Sequence, residues 1–367
     1  MAEDLRKKIA FSMIRNINAA LALRLLSRVG SLDALFSLPM SSLAAAGHLP
    51  SNLTDQSARD ELLERAKKEE EFILANEIEA LYFTDDAYPT RLSNCDDGPV
   101  MLYQLGNDCL NARHVVSIVG TRRATPQGVE VTRRIVKELS ERLDDLVIVS
   151  GLAYGIDVAA HKAALEFDVP TVAVLANPLN TIYPADHRGI AANILRKGGA
   201  LVSEYSTSHE VHKSNFLARN RIIAGISDAT IVVESDSQGG SLVTAGLAIE
   251  YNREVYAVPG RLTDKYSQGT LGLIAAQKAN IFTGVEDFLC GMGWNYESDG
   301  PQQQVLEFEF SSDEQAVYDF LVQNPASRVN EIVLSTKLPQ GQVSDILFRL
   351  EMRDAVMSMA GGKYSAL

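Results

Sequence analysis

The spacing of apolar and polar positions changes twice along the chain. From Ile9 to about Ile78 apolar residues recur at intervals of three and four. Leu21, Leu25, Leu26 and Val29, then Leu32, Leu35 and Phe36, are followed or broken by Gly30, Pro39 and Pro50. That period lines one face of a helix, so residues 1–78 are expected to form a small helical bundle. The charged run from Arg65 to Glu71 reads as the solvated face of its last helix.

Two strand-like pieces, EALYF and VMLYQL, flank the loop DDAYPTRL and lead into a second texture. From Val115 onward, short Val- and Ile-rich runs alternate with helical stretches. The runs are VVSIVG, LVIVSG, PTVAVLAN, ALVSEY, ATIVVES, EVYAVPG and NIFTG. Strands that are apolar throughout, separated by helices of about ten residues or more, predict a parallel sheet buried on both faces. Residues 79–290 are therefore expected to be a doubly wound α/β domain, an extended Rossmann-like sheet of six or seven strands.

Residues 291–312 are polar, acidic and rich in Gly, Pro and Gln, and read as a linker. A third unit, 313–367, has three helical patterns. The last, Gln340 to Met352, places Val343, Ile346, Leu347 and Leu350 on one face, and a hairpin turning at Gly361-Gly362 follows. Three helices and a hairpin predict a winged helix.

Composition narrows the functional classes. With 46% apolar residues, 367 residues suffice for two or three domains. No leader pattern and no run of eighteen apolar residues occurs, so a cytoplasmic protein with no membrane partner is expected. Cys95, Cys109 and Cys290 are far apart and read as ordinary thiols. The net charge of −13 argues against polyanions. The acidity lies outside the middle of the chain, however. Residues 110–290 hold 19 acidic and 18 basic side chains, so any polyanion site must be local.

The candidate chemistry gathers after the strand patterns. Gly120-Thr121-Arg122 follows a strand and precedes a helix, where backbone amides and a guanidinium suit either an anion or an ordinary tight turn. Ser150-Gly151, with Gly155-Ile156-Asp157, is a second such turn, and Asp157 reads as a helix cap. Lys213 and Phe216 stand three apart ahead of Arg219-Asn220-Arg221. A cation beside an aromatic is the minimal grammar of single-strand binding, one holding phosphate while the other stacks on a base. In a parallel sheet all these turns converge on one edge.

Nothing matches GxGxxG or GxxxxGK[ST], and His161 has no nucleophile placed beside it, so it reads as packing or polar support. His209 and His212 lack ligand-spaced partners, so neither metal nor cofactor is expected. Gly239-Gly240-Ser241 resembles the PGGxGTxxE loop of lysine-decarboxylase-like phosphoribohydrolases. Gln238, Leu242 and Gly246 replace its Pro, third Gly and acid, leaving a nucleotide-processing enzyme as the alternative reading.

Taken together, DDAYPTRL, SIVGTRRATPQG, VSGLAYGIDVAAHKAAL, the Ile182-Tyr183-Pro184 corner, NFLARNRIIAGIS, ATIVVES, GGSLVTAGLAIE and AVPGR resemble the DprA (Smf) family of bacterial DNA-processing proteins. The resemblance covers nearly the whole chain. It implies a homodimeric protein without turnover that binds and protects incoming single-stranded DNA, loads RecA recombinase during natural transformation and meets single-strand-binding protein. It assigns strand contacts to Arg122, Lys213 and Phe216 and the pocket floor to Gly120, Ser150, Gly151, Gly240 and Ser241, with Thr121 a further DNA-binding candidate in the same turn as Arg122. Of Arg219 and Arg221, one is expected to meet phosphate while the other pairs with a carboxylate such as Glu204 or Glu234. The family's N-terminal domain is of SAM or helix-hairpin-helix type, often with a Gly-x-Gly hairpin. This chain has Asn16-Ile17-Asn18 there. The C-terminal unit carries a net −2 with only Arg349 and Arg353 on its third helix, which favours protein contact over duplex binding.

Overall fold

The computed structural model describes residues 2–39, 42, 53, 55–294, 310–325, 327–353, 355–359 and 363–366. The break at Pro50, most of the 291–312 linker and the Gly361-Gly362 turn lie outside the described residues. The chain forms two units, Met1–Trp294 and Asn295–Leu367.

The first unit is built on one nine-stranded sheet. Its strands in chain order are β1 (Glu79–Tyr82), β2 (Met101–Gly106), β3 (His114–Val119), β4 (Leu146–Ser150), β5 (Thr171–Val174), β6 (Ala200–Ser203), β7 (Ala229–Val232), β8 (Glu254–Ala257) and β9 (Asn280–Ile281). In space they run β1-β2-β6-β5-β4-β3-β7-β8-β9. The seven strands expected from the apolar runs are all present and parallel, from β6 through β9. The sheet is two strands larger than expected. EALYF and VMLYQL join it as an antiparallel edge, β1 on β2 and β2 on β6.

Alternation along each strand explains why both faces are covered. Val115, Val119, Val147, Val149, Val172 and Val232 enter one core, whereas Val116, Ile118, Ile148 and Ile231 enter the other. The first core continues into the N-terminal helices through Ile9, Phe11, Ile14, Leu62 and Ile73. The helix Gln56–Ala75 departs from the expected solvated face. Within its charged run Glu69 and Glu70 are buried, Glu70 paired with Arg6 at 2.8 Å. Their spacing from Leu62 and Ala66 puts them on the inward stripe, so each carboxylate is held by a specific partner.

The second unit is a winged helix. Helices Ser312–Gln323, Val329–Thr336 and Gln340–Met352 pack with a sheet ordered β10-β12-β11 (β10, Ser327–Arg328; β11, Val356–Met359; β12, Lys363–Ala366). Val343, Ile346, Leu347 and Leu350 form its core with Val317, Leu321 and Ile332. Ser311 and Glu314 close a capping box at the first helix, which satisfies two amides that would otherwise lack partners. Arg349 pairs with Asp345, and both Arg349 and Arg353 lie 3.7 Å from Glu314.

Candidate nucleic-acid interface

The order of strands reverses between β3 and β7, and a crevice opens at their carboxyl ends as in other doubly wound sheets. A cleft of about 220 Å³ lies there. It is lined by Gly120, Thr121 and Arg122 after β3, Phe216 and Arg219 from the β6–β7 crossover, and Gly240 and Ser241 after β7. Seven of the ten residues singled out from the sequence thus meet around one opening.

Close backbone approach shapes the walls. A side chain at Gly120 would place its first carbon 2.5 Å from Ile156 and 2.9 Å from the Glu234 carbonyl, so only glycine fits the turn. The Thr121 amide donates to that carbonyl at 2.7 Å, joining the β3 and β7 turns. Helix Gly240–Glu250 points its amino end at the cleft. Its cap, Gly239, has no side chain to occupy the free amides, which favours an anion there. Ser241 donates instead to Ser235 Oγ at 2.9 Å.

Above this floor stand the charged and aromatic groups. The Arg122 guanidinium lies 5.6 Å from the centre of the Phe216 ring, within reach of a cation–π contact. Lys213 opens helix Lys213–Ala218 one turn before Phe216, and a three-residue spacing puts both on one helical face. Among the described residues neither Arg122 nor Lys213 has a carboxylate within ion-pair distance, and both are exposed. Tyr183, 55% exposed, sets its ring edge-on to Phe216 with centroids 5.3 Å apart. Sequence reasoning assigned Tyr183 no role of its own. Its signal was an aromatic in an exposed corner, far along the chain from Phe216.

Ser150 and Gly151 lie below the opening, and Arg219 lines it from a buried position. Ser150 is fully buried and donates to the Ile118 carbonyl at 2.7 Å. Gly151 lies against the Arg219 guanidinium, where an added carbon would come within 2.1 Å of Nη1. Arg219 is itself buried, its Nη1 donating to the carbonyls of Gly151 and Val174. It therefore braces the floor, while Arg221 pairs with Glu204. The helical triplet sends both arginines inward because Asn220, Ile222 and Ile223 around them are buried on the same crossover.

Asp157 does not cap its helix, whose first residue follows Gly155. It accepts from the Gly151 amide at 3.2 Å and so ties down the β4 turn. Burial pushes its carboxyl up, opposed by Arg219 and the Gly151 and Ala153 amides. His161 is fully buried with Nδ1 2.8 Å from Thr171 Oγ1, and burial lowers its pKa to about 3. A neutral imidazole sealed under the sheet edge cannot reach a substrate.

The loop before Lys213 is held from two sides. Glu69 accepts hydrogen bonds from the Thr207 amide at 2.8 Å and from its hydroxyl. Asn215, buried in the helix that carries Phe216, donates to His209 Nε2 at 3.0 Å, and His209 stacks on Tyr205. On the other flank, the Glu234 carboxylate accepts from the Thr125 amide at 2.9 Å, where helix Pro126–Ser140 begins. Among the described residues no group of three or more His, Cys, Asp or Glu side chains is placed to hold a metal ion, and no helix is long and apolar enough to cross a membrane.

Known proteins resemble this chain in sequence and in fold. The family model described as DNA recombination-mediator protein A matches residues 79–293, and that of the DprA winged helix domain matches 298–362. Protein Smf of Escherichia coli is 36% identical over 285 residues, covering 75% of this chain and 74% of that protein. DNA processing protein DprA of Streptococcus pneumoniae is 38% identical over 205 residues, 56% of this chain and 71% of its own. The X-ray structure of the Streptococcus pneumoniae protein superposes with a TM-score of 0.64 at 31% identity, covering 79% of this chain and 96% of that one. A Helicobacter pylori DNA processing protein A, whose structure concerns its single-stranded DNA binding mode, gives 0.53 at 30% identity over 60% of this chain and 97% of that one. With family models on both structural units and relatives this similar, the chain belongs to the DprA/Smf family of DNA recombination-mediator proteins.

Proposed function

We propose that this protein binds single-stranded DNA without turnover, and that it protects the strand and loads RecA recombinase onto it during natural transformation. The reading rests on one observation. Arg122 and Phe216, drawn from two distant stretches, stand together beside an uncapped helix terminus, Lys213 lies one turn before Phe216 on its helix, and among the described residues neither cation has a carboxylate within ion-pair distance. The cations hold phosphates, the Phe216 ring receives a base, and Tyr183 fixes the angle of that ring. Homodimerisation, a meeting with single-strand-binding protein and a cytoplasmic setting belong to the same proposal and come from family membership. So does the division into 1–78, 79–290, 291–312 and 313–367.

The test is the binding of labelled oligonucleotides at several salt concentrations. Arg122→Ala and Lys213→Ala should each weaken binding and reduce the salt slope by roughly 0.7, the share of one phosphate contact on a single strand. Phe216→Ala should cost about 1–3 kcal/mol and leave the slope unchanged. Unaltered affinity in all three variants would refute the reading. Release of free base from a nucleoside monophosphate would instead support the nucleotide-processing alternative.

A further inference from the structure

A second and larger cleft, of about 840 Å³, opens beside the first on the same edge of the sheet. One wall is the start of helix Pro126–Ser140, with Thr125 and Gln127. The other is the segment Val258–Ser267, which carries Arg261, Lys265 and Tyr266. Only a thin partition separates the two clefts. The Ser235 amide donates to the Tyr266 carbonyl at 2.7 Å, and Lys265, lining the second, pairs at 3.3 Å with Asp236, lining the first.

Size and charge indicate what each cleft takes. Clefts that enclose a small ligand span about 300–1,000 Å³. The first falls below that range and the second within it. The charges lining the second cancel, because Glu234 and Asp264 face Arg261 and Lys265. Glu234 is committed to Thr125 and Lys265 to Asp236. Among the described residues Arg261 and Asp264 are both exposed with no ion pair or hydrogen bond to their side chains, which leaves Arg261 as the uncommitted cation of the four. A neutral interior with apolar walls from Val131, Val233 and Val258 suits an uncharged ring better than a run of phosphates.

We infer that this cleft receives the base of a neighbouring nucleotide of the same single strand, with Arg261 holding the phosphate at its mouth. The inference rests on the strand-binding reading and extends it: the strand leaves the Phe216 ring, crosses the Asp236–Lys265 partition and anchors again. Arg261 and Gln127 are thereby binding residues that set how affinity grows with length.

The experiment measures the affinity of the full chain for oligothymidylates of increasing length. The wild type should gain a step in affinity once the strand spans both clefts. Arg261→Ala should lose most of that step, about tenfold, with the salt slope smaller by roughly 0.7 for long strands only. Gln127→Trp, filling the cleft from an exposed position, should lose it with the slope unchanged. Both should retain wild-type affinity for the shortest strand bound, which also shows that they are folded. If both match the wild type at every length while Arg122→Ala weakens binding throughout, the second cleft is not used and the strand-binding reading stands. If Arg122→Ala is also without effect, both fall.

Discussion

His161 shows how a residue that draws attention in a sequence can be accounted for by burial. Its ring is sealed between helix Ile156–Glu166 and β5, and its pKa is lowered to about 3. Between that value and the ordinary 6.5 the unfolded chain takes up a proton that the folded chain refuses. Stability from this group is complete above pH 6.5 and is lost as pH falls, by up to about 1.4 kcal/mol per unit. Urea midpoints measured between about pH 7 and pH 5 should fall accordingly, and His161→Gln should flatten the trend. Arg219 makes the same point in another way. The sequence presented it as one of two arginines from which a phosphate contact would be drawn. The structure spends its Nη1 on two carbonyls inside the molecule, and no local pattern distinguishes a guanidinium facing out from one facing in.

At the scale of elements, the parallel strands were legible because burial on both faces leaves a continuous apolar run, which few other elements produce. The edge pair β1 and β2 was legible as strand but not as sheet, since pairing β2 with β6 joins segments about a hundred residues apart. The site was readable for a related reason. Turns at the carboxyl ends of parallel strands must meet, so Gly120, Arg122, Gly240 and Ser241 could be grouped before any coordinates. Lys213 and Phe216 were grouped by spacing alone. What spacing could not reveal is the support given by Glu69, from a helix more than a hundred residues earlier, to Thr207 in the loop that leads into their helix. Breaking that support tests whether the support matters to binding. Glu69→Ala should weaken oligonucleotide binding several-fold without altering the salt slope, because no phosphate contact is removed, and should cost about 1.5–3 kcal/mol of stability.

At the scale of the molecule, the overall charge and the location of the site point in opposite directions. A chain of net charge −13 repels polyanions at a distance, so the proposed strand binding would depend on a few cations close to the strand, and association should be slow at low ionic strength compared with a basic protein. The winged helix follows the same logic. Arg349 on its third helix and Arg353 just after it already face Asp345 and Glu314, leaving little positive field along that helix for a duplex. Deleting residues 313–367 should change duplex affinity less than twofold in a gel-shift titration. A larger loss would show that this unit grips duplex DNA.

The carboxylate of Glu234 has one more effect. In doubly wound sheets the head of the helix after the first central strand is where a dinucleotide seats its pyrophosphate. Here a negative group tethered to the chain already sits in that seat, hydrogen-bonded to Thr125. A diffusing coenzyme would have to evict a resident that cannot leave, whereas a polymer passing overhead displaces nothing.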